Sequence, residues 1–314
     1  MIQIKHYEML ETFNNDKSNL ETPWVAYIEE NSTIYYSVDD VIKYRILCIR
    51  QKDISNITYE AVDLGLPSGL KWADRNVGAA SPEDFGSYFQ WGDTNANTFD
   101  GEGEISAVKL AELLNPLFGP ALDMEITTDN VGMILEQFGI IGTDLINNIE
   151  EPFCLSLNKF FFEDSYFDKD YEKYNNEGLK VLESVDDAAT IHMGSNYRMP
   201  TIDEINELIN NTTHTFIDLD GNEYSQEQTK NGAIEARKLK GVRFTGSNDN
   251  SIFIPATGYC FQCLLDDFNA DSSLWSSSLD DTVDAMFLSF SYDGNINKSS
   301  NFRYYGRSVR GVLN

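Results

Sequence analysis

The residues able to do chemistry are few and scattered. Cys260 and Cys263 form a C-x-x-C, but no second pair and no His-x-His partner completes a zinc site. Set between Tyr259 and Phe261, the pair reads as core packing rather than a redox or metal centre. The other two cysteines, Cys48 and Cys154, do not make the dense framework of a small secreted domain. The histidines are His6, His192 and His214, and no G-x-S-x-G elbow gives any of them a serine to activate. No glycine-rich phosphate loop occurs, and no acidic run has the ligand spacing of a Ca loop. With 51 acidic residues some carboxylate pair arises by chance, so a glycosidase cannot be read from the sequence. The expectation is a protein that is not an enzyme and carries no cofactor or metal.

The stretch with most to offer a ligand is 291–305. Tyr292 and Tyr304 supply stiff, amphipathic contact area. Asp293, Asn295, Asn297 and Asn301, with the intervening serines and Gly294, supply adaptable hydrogen bonding, and Arg303 adds a charge. That mixture is the chemistry of antibody paratopes. It also fits an ordinary polar hairpin turning at Asp293-Gly294, and composition leaves both readings open. Arg307 and Arg310 are expected to form structural ion pairs in so acidic a chain.

Composition excludes some partners. The chain has 314 residues, 23 basic and 51 acidic, for a net charge of −28. Nucleic acid needs a basic stripe, and anionic membrane surfaces attract basic segments, so neither is an expected partner. No run reaches the roughly 18 apolar residues of a membrane span. The first residues, Met1-Ile2-Gln3-Ile4-Lys5-His6-Tyr7-Glu8, do not read as a signal peptide. The expectation is a chain made in a cytoplasm, which would work outside a cell only as part of a particle. Hydrophobic residues make up 41% and aromatic residues 12%, enough for a core and suited to a β-rich fold.

The elements that must position these residues fall into parts. Residues 1–53 read as a small β-rich module, with strands over 24–28 and 33–37 joined by a polar turn, and a third over 41–49. Three short strands are marginal alone, so this module is expected to oligomerise or dock on a partner. Residues 59–314 read as one domain with a helical insertion at about 100–150. In the insertion, Ile105, Val108, Ala111, Leu113 and Leu114 approximate helical spacing, and Val131, Ile134, Leu135 and Phe138 make a clear i, i+3, i+4, i+7 stripe. Thr201-Ile202-Asp203-Glu204 is a capping box that starts a helix through Ile205, Leu208 and Ile209. Short strands follow at 242–244, 251–254, 274–278, 286–290 and 304–312, divided by Gly, Asn and Asp. Sparse helices, short strands and long polar loops make this an α+β chain.

Several blocks resemble a known family. Val62-Asp63-Leu64-Gly65-Leu66-Pro67-Ser68-Gly69-Leu70-Lys71-Trp72-Ala73 and Tyr88-Phe89-Gln90-Trp91-Gly92-Asp93-Thr94 are similar to the opening of the Fibrobacter succinogenes major paralogous domain. Asp186-Asp187-Ala188-Ala189-Thr190 and Arg198-Met199-Pro200-Thr201 are similar to its central block. The blocks at 251–259, 274–278 and 305–310 are similar to its end. The resemblance covers about 59–100 and 183–314; the N-terminal module and the insertion lie outside it.

The resemblance implies a C-type-lectin-like fold of the formylglycine-generating-enzyme branch, with the last strands and loops around a ligand face. On that fold Trp275, Ser276 and Ser277 would join Tyr292, Asp293, Asn295, Asn297, Asn301, Arg303 and Tyr304 at the contact surface. Two departures narrow it. The formylglycine enzymes use a cysteine pair near the end of the fold, and nothing after Cys263 is a cysteine. Calcium lectins use carboxylate and amide ligands where this chain has Trp275-Ser276-Ser277-Ser278. The expectation is a phage virion protein, a head or tail fibre or decoration. Residues 1–53 would attach it to other virion proteins, and the lectin-like domain would bind a host-surface glycan or protein. A homo-oligomer, by analogy with fibres a trimer, goes with that reading; a bacterial surface adhesin of the same fold is the alternative.

Overall fold

The computed structural model describes residues 27–28, 34–35, 43–51, 53–106, 110–112, 114–115, 119, 123–137, 153–156, 173–174, 178–261 and 264–313. The chain divides into two compact units. One comprises Met1–Ile46 and Glu102–Phe153, the other Leu47–Gly101 and Cys154–Asn314.

In the first unit, strands β1 (Tyr27–Ile28) and β2 (Ile34–Tyr35) pair antiparallel, with Tyr27 opposite Tyr35 and Ile28 opposite Ile34. These are the two strands expected of a hairpin; the rest of the proposed 24–28 and 33–37 segments lies outside the described residues. Strand β3 spans Lys43–Gln51. Helix α1 (Val131–Gln137) buries Val131 and Ile134, the first half of the apolar stripe. The Leu135 side chain and Phe138 lie outside the described residues. The helical stretch begins later than its spacing suggested. Ile105 belongs to a ten-residue strand running from Asn97 to Ser106, because the run Asn97-Thr98-Phe99-Asp100-Gly101-Glu102 carries no helical periodicity and continues the strand pattern before it.

The second unit is mostly sheet. Its early strands are β4 (Ala61–Asp63), β5 (Lys71–Ala73) and β6 (Ser87–Phe89); β7 (Asn97–Ser106) and β8 (Phe153–Ser156) each have residues in both units. Helix α2 (Ala188–Met193), β9 (Tyr197–Arg198) and helix α3 (Ile202–Asn211) follow. Next come β10 (Thr213–Asp218), β11 (Glu223–Ser225), the short helix α4 (Gln226–Lys230), β12 (Leu239–Thr245) and β13 (Ser251–Pro255). The last are β14 (Tyr259–Phe261), β15 (Leu264–Asp266), β16 (Asp271–Leu279), β17 (Asp284–Ser291), β18 (Ile296–Phe302), β19 (Arg307–Ser308) and β20 (Val312–Leu313). Within 304–312 the one expected strand is two short ones: a turn through Tyr304 and Tyr305 precedes β19, and an extended link over 309–311 separates β19 from β20.

Three sheets organise the unit. β11-β10-β12-β13 is an antiparallel sheet in which β10 lies between β11 and β12. β4-β5-β20-β9 joins the unit's beginning to its end, with Val312 opposite both Trp72 and Arg198. A larger sheet contains the run β6-β19-β16-β17-β18; β19 lies parallel to β16 through Leu274 and Ser308, and antiparallel to β6. One core cluster gathers Trp72, Phe216, Phe244, Leu274 and Phe290, and Ile205 and Leu208 of α3 pack into it. Each such aliphatic side chain contributes roughly 1.5–3 kcal/mol by its burial. A second cluster gathers Trp91, Trp275, Phe287 and Val309.

Helix boundaries follow local chemistry. Thr201 accepts from the Glu204 N–H, and the Glu204 carboxylate accepts from the Thr201 N–H at 2.8 Å, a complete capping box. Asp187 caps α2, accepting from Thr190 N and from Met199 N.

The arginine expectation is corrected. Arg310 is buried without an ion pair among the described residues. Its Nε donates to Asn76 Oδ1 at 2.9 Å and its Nη1 to the Phe253 carbonyl at 2.8 Å, while the neighbouring carboxylate, Asp74, pairs with Arg75 instead.

Candidate ligand-binding surface

Most of the 291–305 segment is one hairpin. β17 and β18 pair from Phe290 opposite Ile296 to Asp284 opposite Phe302. At the tip, the Asp293 carboxylate accepts from Asn295 N at 3.2 Å and Asn295 Nδ2 at 2.7 Å, and from the Ser291 hydroxyl. Gly294 takes φ +84°, and its carbonyl accepts from Gln226 of α4 at 3.0 Å. Tyr292 packs against the first core cluster. Tyr292, Asp293 and Asn295 are therefore occupied in holding the turn.

Asn297 is exposed on β18, opposite Ser289. Asn301 lies six residues along the chain from Asn295 at the tip, roughly 20 Å at about 3.3 Å each, with Arg303 and Tyr304 just beyond. The expected single contact surface is thus two ends of one strand. Arg303 is a buried framework residue: its N–H donates to Val283 O, its Nη2 to Thr282 O at 2.6 Å, and its guanidinium lies 5.4 Å from the Trp91 ring.

The Trp275 strand is also corrected as a contact surface. Trp275, Ser276 and Ser277 are buried, and their donors are spent on backbone. Trp275 Nε1 donates to Phe89 O, Ser276 Oγ to Met286 O, and Ser277 Oγ to Pro200 O. Ser277 N also donates to Pro200 O, and Ser278 Oγ accepts from Ile202 N. The serine run anchors the start of α3.

What does reach the surface is a row of rings. Phe302, 40% exposed, stacks on Tyr304 with centroids 5.1 Å apart and planes 11° from parallel. Tyr304 meets Tyr305 edge-on at 5.1 Å, and Tyr305 stacks on Tyr259 at 5.5 Å and 11°. The three tyrosines are half-buried. Two backbone bonds make the join: Cys260 N donates to Gly306 O, and Gly306 N to Cys260 O at 2.8 Å. Gly258, at φ +62°, lets β14 start there, since a Cβ would fall 2.0 Å from Asp266 O.

Beneath the row lies Arg307. Its guanidinium carbon is 3.8 Å from the Phe287 ring centroid, 4.9 Å from Trp275, 5.2 Å from Tyr259 and 5.6 Å from Tyr305. It too lacks the expected ion pair among the described residues, because aromatic faces surround it instead. Burial pulls its pKa down to about 9, which leaves it charged at neutral pH. Burial, then nearby Asp266 and Asp267, drives the Tyr259 phenol upward, so it stays protonated; it donates to Asp266 Oδ2 at 3.4 Å. Behind the β14–β15 hairpin, Asp271 is pushed up to about 7 by burial first and then by Asp267, Asp293 and Asp266. No group of His, Cys, Asp and Glu able to hold a metal ion occurs among the described residues.

Of the residues expected from sequence, Asn301 and Tyr304 stand at this surface. Phe302, Tyr305, Tyr259 and Arg307 were missed. The Tyr304-Tyr305 doublet beside Phe302 was the available signal; nothing local ties Tyr259 to it.

No family model matches the chain, and neither a curated protein nor a solved structure matches it. The class the structure defines is a mixed α+β protein, mostly sheet with few helices. No helix among the described residues is long and apolar enough to cross a membrane.

Proposed function

We propose that the second unit is a ligand-binding display domain with a C-type-lectin-like fold, and that its ring row takes a sugar by stacking. The observation that carries this reading is the contiguous surface of Phe302, Tyr304, Tyr305 and Tyr259. Isolated exposed apolar residues are ordinary, whereas a continuous aromatic surface with polar hydroxyls and amides at its margin suits a sugar ring. Asn301 and the tyrosine hydroxyls supply the neutral hydrogen bonds. The lectin-like assignment rests on the resemblance of the blocks around Trp72, Trp91, Pro200 and Trp275 to the family named above. From the same resemblance we propose that the chain is a phage virion protein that attaches particles to a host-surface glycan or protein.

Two experiments test these statements. Oligosaccharide binding by the full chain should weaken about tenfold in Phe302→Ala and in Tyr304→Ala, with melting temperatures nearly unchanged. Unaltered affinity in both variants would remove the row as the contact surface. Mass spectrometry of purified phage particles should find the chain; its absence would end the virion reading and favour display on a bacterial surface.

A further inference from the structure

Arg307 is the one group in this surface whose chemistry stacking does not use. It is 2% exposed, and its Nε is buried without a hydrogen-bond partner. No hydrogen bond or ion pair to its guanidinium exists among the described residues; only ring faces surround it. A guanidinium offers five N–H donors, and leaving a buried donor unmet costs it the hydrogen bond water would have given. For Arg310 the core meets Nε and Nη1 through Asn76 and Phe253 and leaves only Nη2 unmet, whereas the Arg307 guanidinium receives neither kind of partner. Asp266, the acid beside Tyr259, is engaged elsewhere, accepting from Tyr259 and lying 3.8 Å from Arg237. The charge is therefore held in place, fully formed, and spent on no partner. Two of its four rings, Phe287 and Trp275, are core, and the other two, Tyr259 and Tyr305, belong to the surface.

We propose that Arg307 is the oxyanion receptor of this surface, so that the preferred ligand is an acidic sugar. Its ring lies on the tyrosines and its carboxylate or sulfate reaches the guanidinium. This rests on the reading of the ring row as a sugar surface. The planar fork matches an oxyanion in two-point contact, and a neutral sugar leaves it unmet. In a chain of net charge −28, one buried positive group then supplies selectivity that the overall field opposes.

The test titrates the full chain with three oligosaccharides: an oligogalacturonate, its carboxyl-reduced neutral counterpart, and a sulfated galactan oligomer. Wild type should bind one of the charged oligomers at least about tenfold tighter than the neutral one, and the tighter of the two identifies the oxyanion. Arg307→Met should lose the preference, binding the charged oligomers no tighter than the neutral one. Melting temperature reports whether that variant folds. If it does not, Arg307→Lys, which keeps charge but loses the fork, should retain only part of the preference. Equal wild-type affinity for neutral and charged oligomers would overturn the receptor role and leave the stacking surface standing. Failure to bind any of the three would remove the stacking surface itself, and the receptor role with it.

Discussion

Asp271 shows how much one side chain's surroundings can decide. Its folded pKa of about 7 lies above its ordinary value of 3.8, since burial and three neighbouring aspartates disfavour its charge. The folded state therefore holds the proton more tightly than the unfolded chain. The linked stability is complete below 3.8 and is lost as pH rises through about 7. Asp271→Asn removes the charge but keeps the shape. It should melt higher than wild type above pH 7, with the gap closing toward pH 4; parallel melting curves in a pH series check it. A gap independent of pH would mean that the carboxylate is solvated. Its neighbour Gly258 belongs to the same corner. Gly258→Ala places a methyl within 2.0 Å of Asp266 O and forces a strained φ. It should lower stability by more than about 2 kcal/mol in denaturant titrations, because the backbone there cannot give.

At the scale of elements, α3 tests how far local chemistry fixes a boundary. Thr201→Ala removes the side chain that accepts from the Glu204 N–H and should cost about 1 kcal/mol in chemical denaturation. This box was legible in the sequence because all its parts lie within four residues. The same holds for β13 and β17, whose apolar runs sit between Gly, Asn and Asp. β16 was legible as a strand but not as a buried one. Ser276 and Ser277 were expected at the contact surface, and only their partners Met286 and Pro200 make them core. The ligand surface was half legible for a related reason. Composition marked the 291–305 segment, yet its two ends are held apart by β18, and Tyr259 comes from another hairpin. Arg307 could not be read at all, since its four rings come from β14, β16, β17 and the turn before β19.

For the whole molecule the dominant sequence property is charge. With 51 acidic and 23 basic residues, folding concentrates like charge and self-repulsion opposes it. Added NaCl should raise the melting temperature as the Debye length falls from about 30 Å at 0.01 M to about 8 Å at 0.15 M. A flat response would mean that the acidic groups are already offset by local pairing. The topology adds a constraint of a different kind. β20 lies between β5 and β9, so Val312 must find Trp72 across most of the unit's length. Closing so long a loop brings little reward until the last contacts form, and sheets rich in distant pairings assemble slowly, in milliseconds to seconds. On a ribosome the wait is longer still. β5 and β9 emerge early and hold open the slot between them until synthesis passes Leu313, so the nascent unit spends that interval with two unpaired edges exposed to any neighbouring strand.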